Sequence, residues 1–221
     1  MKLNADIGEG FGEDIELLAV IQQANIGLGE HAGNSDVTLM TAQLSRDAGV
    51  EIGLHPGFPD RESMGRRVPS LEESQDWIES LVEQCRRGAS AIPDAKYIKP
   101  HGAAYSFLRV DHDEFVQCIR DIGLPLMGIP GSSIEAITNE ARVRFIREGF
   151  VERGYLPEFR GLIPRGESGA ELEDINQMVS QVQQLSKLGI ETFCIHGDRP
   201  GAGKLARHVR IACEEMGFEF C

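Results

Sequence analysis

The sequence predicts a β/α barrel, and three observations lead to this fold class. Short β-type runs alternate with amphipathic helical stretches along the 221 residues, which is the pattern of an α/β fold. Seven such strands can be placed, each followed by a helix. Polar side chains end strands from the first to the last, whereas an open doubly wound sheet gathers its functional residues at one switch point. We therefore expect an irregular seven-stranded β/α barrel that forms a single domain over residues 1–221.

The predicted strands are short apolar runs, and amphipathic helices fit between them. The strands are expected at residues 2–6, 24–28, 51–55, 96–99, 125–128, 144–148 and 191–196. The helices are expected at about 14–22, 36–48, 71–87, 113–122, 133–139, 172–187 and 204–216. Ser70 and Glu73 form a capping box before the third helix, because each side chain can satisfy the other's free amide. Gly49, Gly189 and Gly217 stand where helices should end, as C-cap glycines do.

The composition excludes several classes of function. The formal net charge is −13, and nucleic acid or an anionic membrane needs a basic face, so neither is expected as a partner. No apolar run approaches the roughly 20 residues that span a bilayer, and the amino terminus does not resemble a signal peptide. Five cysteines without a C-x-x-C pair indicate neither a disulfide framework nor a zinc knuckle. We therefore predict a cytoplasmic protein.

Three of the six histidines lie directly beside a glycine or proline and a fourth, His31, lies two residues before Gly33; most of the four follow a predicted strand. They are His31, His55, His101 and His196, and Asp6 ends the first strand. Catalytic groups in β/α barrels come from the carboxyl ends of several different strands. These side chains are therefore expected in one convergent site, and the chain is predicted to be an enzyme.

The first strand and its turn supply candidate carboxylates. Strand alternation puts Asn4 and Asp6 on one face, and the glycine-rich turn lets Glu9 fold back toward them. A carboxylate near imidazoles can serve as a metal ligand or as a general base. Asp6, His31 and His55 form a candidate site for zinc or another divalent ion. The alternative is that Asp6 and Glu9 only cap the following turn and helix, and that His55 is a turn residue.

Candidate cations lie in two other segments. Lys99 is placed to bind a substrate carboxylate or phosphate, and His101 to act as acid or base near neutral pH. Arg66 and Arg67 can clamp an anion bidentately, although two adjacent loop arginines are more commonly solvated. The loops at 56–69 and 149–169 are long enough to form a lid or a partner surface.

A glycine-rich segment at 196–204 follows the last strand and opens a helix. Backbone amides at such a helix start can hold phosphate. The segment is not a Walker A loop, because the spacing from Gly197 to Gly203 is one residue too long and Leu205 follows Lys204. A phosphate contact stays open here, without the signature of a self-sufficient ATPase.

Together these segments resemble the LamB/YcsF family, whose members are the A subunits of 5-oxoprolinase, once called lactam-utilisation proteins. The resemblance is carried by LNADIGEGFG at 3–12, the segment 24–33, GVEIGLHPGFPD at 49–60, GRR at 65–67, KPHGA at 99–103 and HGDRPGA at 196–202. The chain departs from the family at Glu30, where an aromatic is usual, at Asn34, where Asp is usual, and at Met64, where Phe is usual. The departures near His31 bear on the substrate more than on the fold.

The resemblance implies a glycoside hydrolase/deacetylase-like barrel and an enzyme that opens 5-oxo-L-proline to L-glutamate with ATP hydrolysis. It implies 5-oxoprolinase subunits B and C as partners and ATP with Mg²⁺ as the cofactor, and a bound divalent metal is a further candidate. The family's motifs fall on Asp6, Glu9, His31, His55, Arg66, Arg67, Lys99, His101, His196 and Asp198.

These residues receive hypothetical roles. The predicted catalytic residues, which would handle water and protons, are Asp6, His55 and His101. The predicted substrate- or phosphate-binding residues are Lys99, Arg66, Arg67 and Asp198. The predicted metal ligands are Asp6, His31, His55 and His196.

Two other functions stay open. One is a stand-alone metal-dependent amidohydrolase, similar to polysaccharide deacetylases, and it would carry stoichiometric zinc and act without ATP. The other is a non-catalytic subunit of the complex. The second is disfavoured because burying so many polar groups without a use is costly.

Overall fold

The computed structural model describes residues 1–159 and 161–221. Its strands are Lys2–Ile7 (β1), Gln23–Gly27 (β2), Glu51–His55 (β3), Tyr97–Ile98 (β4), Leu126–Gly128 (β5), Phe145–Phe150 (β6) and Thr192–His196 (β7). The strands pair in parallel and in chain order, and β7 returns to pair with β1. The sheet therefore closes, which confirms the predicted seven-stranded β/α barrel.

Helices surround this barrel. They are Asp14–Leu18 (α1), Ser35–Asp47 (α2), Ser74–Ala91 (α3), Ala104–Phe107 (α4), Asp113–Ile122 (α5), Ser133–Ala141 (α6), Ile175–Lys187 (α7) and Ala202–Glu215 (α8). The sequence analysis does not predict α4, whose four residues are too few to show a helical period. Within the described parts of the chain, no helix is both long and apolar enough to cross a membrane.

Helix ends follow their predicted signals with local differences. The Ser70 amide donates to Glu73 Oε2 over 2.9 Å, and the Glu73 amide donates to Ser70 Oγ over 3.3 Å. This confirms the capping box, although it closes a turn and α3 begins only at Ser74. The predicted helix 14–22 ends at Leu18, because the Gln22 amide already donates to the Leu3 carbonyl of β1.

The barrel interior is polar and is filled at its amino-terminal end. Tyr97 Oη donates to Asn25 Oδ1 over 2.7 Å, and Asn25 Nδ2 donates to Asn4 Oδ1 over 2.7 Å. Asn4 Nδ2 in turn donates to Thr192 Oγ1 over 2.9 Å. A Cβ atom on Gly53 would lie 2.0 Å from the Tyr97 ring, so only glycine leaves room for this tyrosine. These side chains fill the barrel beneath its carboxyl-terminal mouth.

The alternation along β1 separates the core from the site. Leu3, Ala5 and Ile7 are buried in the apolar layer beneath the helices, whereas Asn4 and Asp6 face the barrel axis. In the sheet, Asp6 pairs with Asn25 of β2 and with His196 of β7. Parallel register thus places the last residues of several strands at one mouth.

Candidate functional site

A pocket of about 410 Å³ opens at the carboxyl ends of the strands. Its lining includes Asp6, His55, Lys99, His101 and His196, which are five of the polar residues that the sequence analysis expected to converge. The carboxyl-terminal mouth is the usual place of catalysis in β/α barrels. This pocket is therefore the candidate active site.

One half of the site is a set of buried charges that we call the lysine network: Asp6, Lys99 and Glu148. Lys99 is only 2% exposed, and its Nζ lies 2.8 Å from Asp6 Oδ1 and 2.9 Å from Glu148 Oε1. Asn25 Nδ2 donates to Asp6 Oδ1 over 2.8 Å, and Tyr105 Oη donates to Glu148 Oε2 over 2.9 Å. Each charge in the network therefore has an opposite charge and a further hydrogen bond or ion pair.

This pairing sets the protonation states of the lysine network. Burial alone would raise the pKa of Asp6, but His55 and Lys99 hold that pKa well below its usual range. Burial alone would lower the pKa of Lys99, but Asp6 and Glu148 are among the groups that hold it well above its usual range. Asp6 is therefore a carboxylate and Lys99 an ammonium at neutral pH. The predicted role of Lys99 as a free anion-binding cation is not supported, because two carboxylates already neutralise it.

The other half of the site is the histidine cluster: Glu9, His31, His55 and His101. All four residues are buried, and one ligand atom from each lies within 4.8 Å of the others. His31 Nε2 lies 3.0 Å from Glu9 Oε1, and His55 Nε2 lies 2.9 Å from His101 Nδ1. Burial holds the pKa of His101 well below its usual range and also lowers that of His31. Glu9 thus folds back toward the mouth as expected, and it does not cap α1.

The predicted metal set is divided between two places. His31 and His55 lie with Glu9 and His101, whereas Asp6 and His196 form a separate group with Cys194. The reason is the barrel's curvature: β7, which carries His196, neighbours β1 on the side opposite to β2 and β3. The structure therefore corrects the ligand set Asp6, His31, His55 and His196.

His196 belongs to a carboxylate–imidazole pair that the sequence analysis missed. Glu152 Oε1 lies 2.5 Å from His196 Nδ1 and also accepts from the His196 amide over 3.0 Å. Burial alone would raise the pKa of Glu152, but His196 holds it below its usual range. Glu148 was also missed, although it ends the predicted strand 144–148 and its polar strand-end position is the signal that could have found it. Glu152 lies in a long loop and offers no comparable signal.

The two adjacent arginines have different environments. Arg66 lines the pocket and forms an ion pair with Asp198. Arg67 instead pairs with Glu73 over 2.8 Å and with Asp60 over 3.3 Å, and its guanidinium lies over the Trp77 ring. The structure therefore keeps Arg66 as a candidate anion-binding group and removes Arg67 from the site.

Two further arginines, Arg153 and Arg165, line the pocket from the loop after β6. The sequence analysis considered this loop as a lid or partner surface but did not select either residue. Asp198 forms an ion pair with Arg66. Both residues were predicted to bind the substrate or a phosphate. An anion that enters here would compete with Asp198 for Arg66.

The glycine-rich start of α8 is not free to bind phosphate. The amides of Gly201 and Gly203 donate to the two carboxylate oxygens of Glu13 over 2.9 and 3.2 Å. These backbone hydrogen bonds lower the pKa of Glu13. A carboxylate of the chain itself thus occupies the amides that the sequence analysis left open for a phosphate.

The departures from the family pattern near His31 have structural roles away from the pocket. Glu30 pairs with Arg87 over 3.0 Å at the surface. Asn34 caps α2, because its Oδ1 accepts from the Val37 amide over 3.0 Å. Neither residue reaches the pocket lining, so the substitutions do not change the groups that a substrate would meet there.

The chain is similar to known proteins over almost its whole length. The 5-oxoprolinase A subunit of Streptomyces avermitilis is 36% identical, over 97% of this chain and 96% of its own length. The 5-oxoprolinase A subunit of Pyrococcus abyssi is 32% identical, over 97% of this chain and 94% of its own. The solved lactam utilization protein from Thermus thermophilus is 30% identical and superposes with a TM-score of 0.80, covering 100% of this chain and 98% of its own.

A more distant structure extends the likeness in fold alone. A solved protein from Enterococcus faecalis V583 is 12% identical and has a TM-score of 0.61, covering 99% of this chain and 95% of its own. The family model described as the LamB/YcsF family matches residues 1–221. With this full-length match and relatives that cover nearly all of both chains, the chain belongs to the LamB/YcsF family.

Proposed function

We propose that the chain is the A subunit of an ATP-dependent 5-oxoprolinase, which hydrolyses the lactam of 5-oxo-L-proline to L-glutamate together with subunits B and C. The observation that carries the proposal is the pocket at the barrel mouth, where a buried carboxylate, a carboxylate–imidazole pair and an arginine meet. Full-length relatives that are named as 5-oxoprolinase A subunits support it.

The pocket has the size and charge that this substrate needs. Its volume of about 410 Å³ lies within the usual range for small-molecule sites. A guanidinium is the side chain best suited to hold a carboxylate bidentately, and Arg66 lies at the pocket wall. We assign Arg66 to the substrate carboxylate, with Arg153 and Arg165 as further positive charges on the same wall.

Ring opening needs one proton to be moved twice. Water adds to the lactam carbonyl carbon, the ring C–N bond breaks, and the nitrogen leaves as an amine that must gain a proton. We assign the proton transfer to His196, which accepts a proton from water and returns it to the ring nitrogen. Glu152 holds His196 Nδ1 over 2.5 Å, so Nε2 is the atom that exchanges the proton. Asp6, held by Lys99 over 2.8 Å, supplies a fixed carboxylate at the pocket floor, which can accept a hydrogen bond from the attacking water.

ATP belongs to the assembled complex in this proposal. A five-membered lactam is an unstrained amide, so transfer of the γ-phosphoryl group of ATP to its oxygen, with release of ADP, would make the ring carbon a stronger electrophile. After water has added and the ring C–N bond has broken, the phosphoryl group stays on the new carboxyl group as an acyl phosphate, and a second water molecule would release it as inorganic phosphate. Mg²⁺ would neutralise the nucleotide phosphates during that transfer. Glu13 occupies the amides at the start of α8, and we therefore do not assign the nucleotide to this helix.

The test is an assay for glutamate released from 5-oxo-L-proline by the purified chain with subunits B and C. We expect turnover only with ATP and all three subunits, and loss of at least 100-fold on Asp6→Asn, since a carboxylate that orients the attacking water and its proton typically contributes that much. The matched control is Asp94→Asn, which removes a half-exposed carboxylate paired with Arg46 at the surface. Equal rates for Asp6→Asn and the control would contradict the proposal.

A stand-alone metal-dependent hydrolase is the second candidate function, because the histidine cluster brings three imidazoles and a carboxylate together. The same assay separates the two. Amide hydrolysis by the chain alone, without ATP, would favour the second candidate. Full activity of a complex that contains Asp6→Asn would instead indicate a non-catalytic subunit.

A further inference from the structure

Ring nitrogens that carry no proton face each other at the centre of the histidine cluster. His55 Nδ1 lies 2.7 Å from the Lys99 carbonyl oxygen, and His101 Nε2 lies 2.9 Å from the Met64 carbonyl oxygen. A carbonyl oxygen only accepts hydrogen bonds, so His55 Nδ1 and His101 Nε2 each carry the N–H proton of their ring. In neutral rings, His55 Nε2 and His101 Nδ1 are therefore both lone pairs, and they face each other over 2.9 Å.

A third acceptor faces the same point. Glu9 Oε1 lies 3.4 Å from His101 Nδ1 and 3.9 Å from His55 Nε2. Three lone-pair atoms at these distances repel one another unless a positive charge lies among them. One shared proton would satisfy two of the three atoms, whereas a divalent cation satisfies all of them.

We propose that Glu9, His55 and His101 bind a divalent transition-metal ion, with zinc as the best match. Two imidazole nitrogens and one carboxylate oxygen are a common zinc donor set, and Mg²⁺ or Ca²⁺ would prefer oxygen ligands alone. Metal-binding histidines usually donate their other ring N–H to a backbone carbonyl or carboxylate, as His55 and His101 do. Both histidines line the pocket, so a fourth coordination position faces the substrate side.

His31 acts as a positioning residue in this site and not as a ligand. Its ring is stacked on that of His101, with centroids 4.0 Å apart and planes 7° from parallel. A metal in the plane of the His101 ring therefore lies outside the plane of the His31 ring. His31 Nε2 instead holds Glu9 Oε1 over 3.0 Å. Gly57 makes room for it, because a Cβ there would lie 2.3 Å from His31 Nδ1.

The test measures bound metal and is independent of turnover. The purified full chain is stripped with a chelator, equilibrated with Zn²⁺, freed of unbound metal and measured by inductively coupled plasma mass spectrometry. We expect about one zinc per chain, and about none in the double variant His55→Gln, His101→Gln. The control is His112→Gln, which changes a histidine that stacks on Phe107 away from the pocket and keeps the metal.

Three further variants define the ligand set. His31→Gln should weaken zinc affinity about 10- to 100-fold, as is typical when a residue that orients a ligand is lost, and Glu9→Gln should weaken it more. His196→Gln should retain the metal, because His196 lies in the other group of candidate ligands. Circular dichroism of each variant checks that the chain is folded. Less than a tenth of a zinc per chain in the parent, unchanged zinc in the folded double variant, or loss on His196→Gln overturns the proposal.

Discussion

The lysine network and the histidine cluster lie side by side at one barrel mouth, yet their charges are balanced in different ways. In the lysine network, one ammonium contacts two carboxylates at 2.8 and 2.9 Å, so its charges are paired without any ligand. In the histidine cluster, three acceptor atoms converge, and His31 Nε2 contacts only Glu9 Oε1 among them, so the two facing imidazole nitrogens have no donor between them. Burial alone therefore does not identify a binding site. The informative feature is a set of buried groups whose partners are missing.

The two regions touch, and their contact explains why the site needs both. Asp6 Oδ2 lies 3.4 Å from His55 Nε2, so the carboxylate that balances Lys99 also borders the histidine cluster. A cation bound in the cluster would sit beside a fixed negative charge. The lysine network therefore supplies charges that stay fixed, whereas the histidine cluster supplies the groups that bind an exchangeable cation.

Breaking the lysine network should have the greatest consequence. Lys99→Met leaves Asp6 and Glu148 buried without their cation, and removing one partner of a buried ion pair typically costs about 3–5 kcal/mol. The free energy of unfolding from urea titration measures this loss. The matched control is Lys2→Met, which breaks a half-exposed pair with Glu51 and should cost less than about 1 kcal/mol. Equal losses of unfolding free energy for the two variants would show that the buried network stabilises the fold no more than the half-exposed pair does.

Next in size is the effect of separating His196 from its carboxylate. Glu152→Gln keeps a polar side chain but removes the charge that orients and stabilises the imidazole. We expect kcat of the assembled complex to fall about 100-fold, within the usual range for acid–base catalysis, with little change in KM. Glu72→Gln, at an exposed position, serves as the control. A change in KM alone would argue against proton transfer at His196.

The paired arginines give a smaller and more specific effect. Arg66→Lys loses the bidentate contact with the substrate carboxylate, so KM for 5-oxo-L-proline should rise about 10-fold. Arg67→Lys should change KM less than about twofold, because Arg67 contacts Glu73 and Asp60. The steady-state kinetics of both variants are compared in the same complex. A larger effect at Arg67 would restore the original prediction for that residue.

The mildest change is expected in the metal-free histidine cluster. His101→Gln puts an amide that can donate a hydrogen bond opposite His55 Nε2, where the parent has two facing lone pairs. We expect the metal-free variant to lose less than about 1 kcal/mol of unfolding free energy, in line with a single neutral hydrogen bond. Excess Zn²⁺ should then raise the melting temperature of the parent but not that of the variant. Equal zinc stabilisation of both would place the metal elsewhere.

The sequence was sufficient for the barrel and for the convergence of its strand ends. Apolar runs that stop at Asp6, His55 and Lys99 have the length of strands and end at polar residues, and closure of the sheet brings these ends together. Predicting both features requires only the local sequence pattern and the rule that the carboxyl ends of a barrel's parallel strands meet at one mouth. The four-residue helix α4 lacked such a pattern, and it was missed for that reason.

The sequence was not sufficient for the partnerships within the site. Residues Glu13 and Gly201 are 188 positions apart, and nothing in either segment indicates that the carboxylate fills the helix start. The neutralisation of Lys99 and the loop carboxylate Glu152 were missed for the same reason. Which buried group pairs with which depends on the curvature of the barrel, and that curvature is set by all seven strands together.

The barrel mouth thus combines one complete charge network with one cluster that requires a cation. An anomalous difference map, recorded at the zinc absorption edge from crystals of the zinc-loaded chain, locates such a cation without reference to activity. We predict one peak at about 2.0–2.2 Å from Glu9 Oε1, His55 Nε2 and His101 Nδ1. A peak at Asp6, Cys194 and His196, or no peak in the mouth, would refute the division of the site into these two regions.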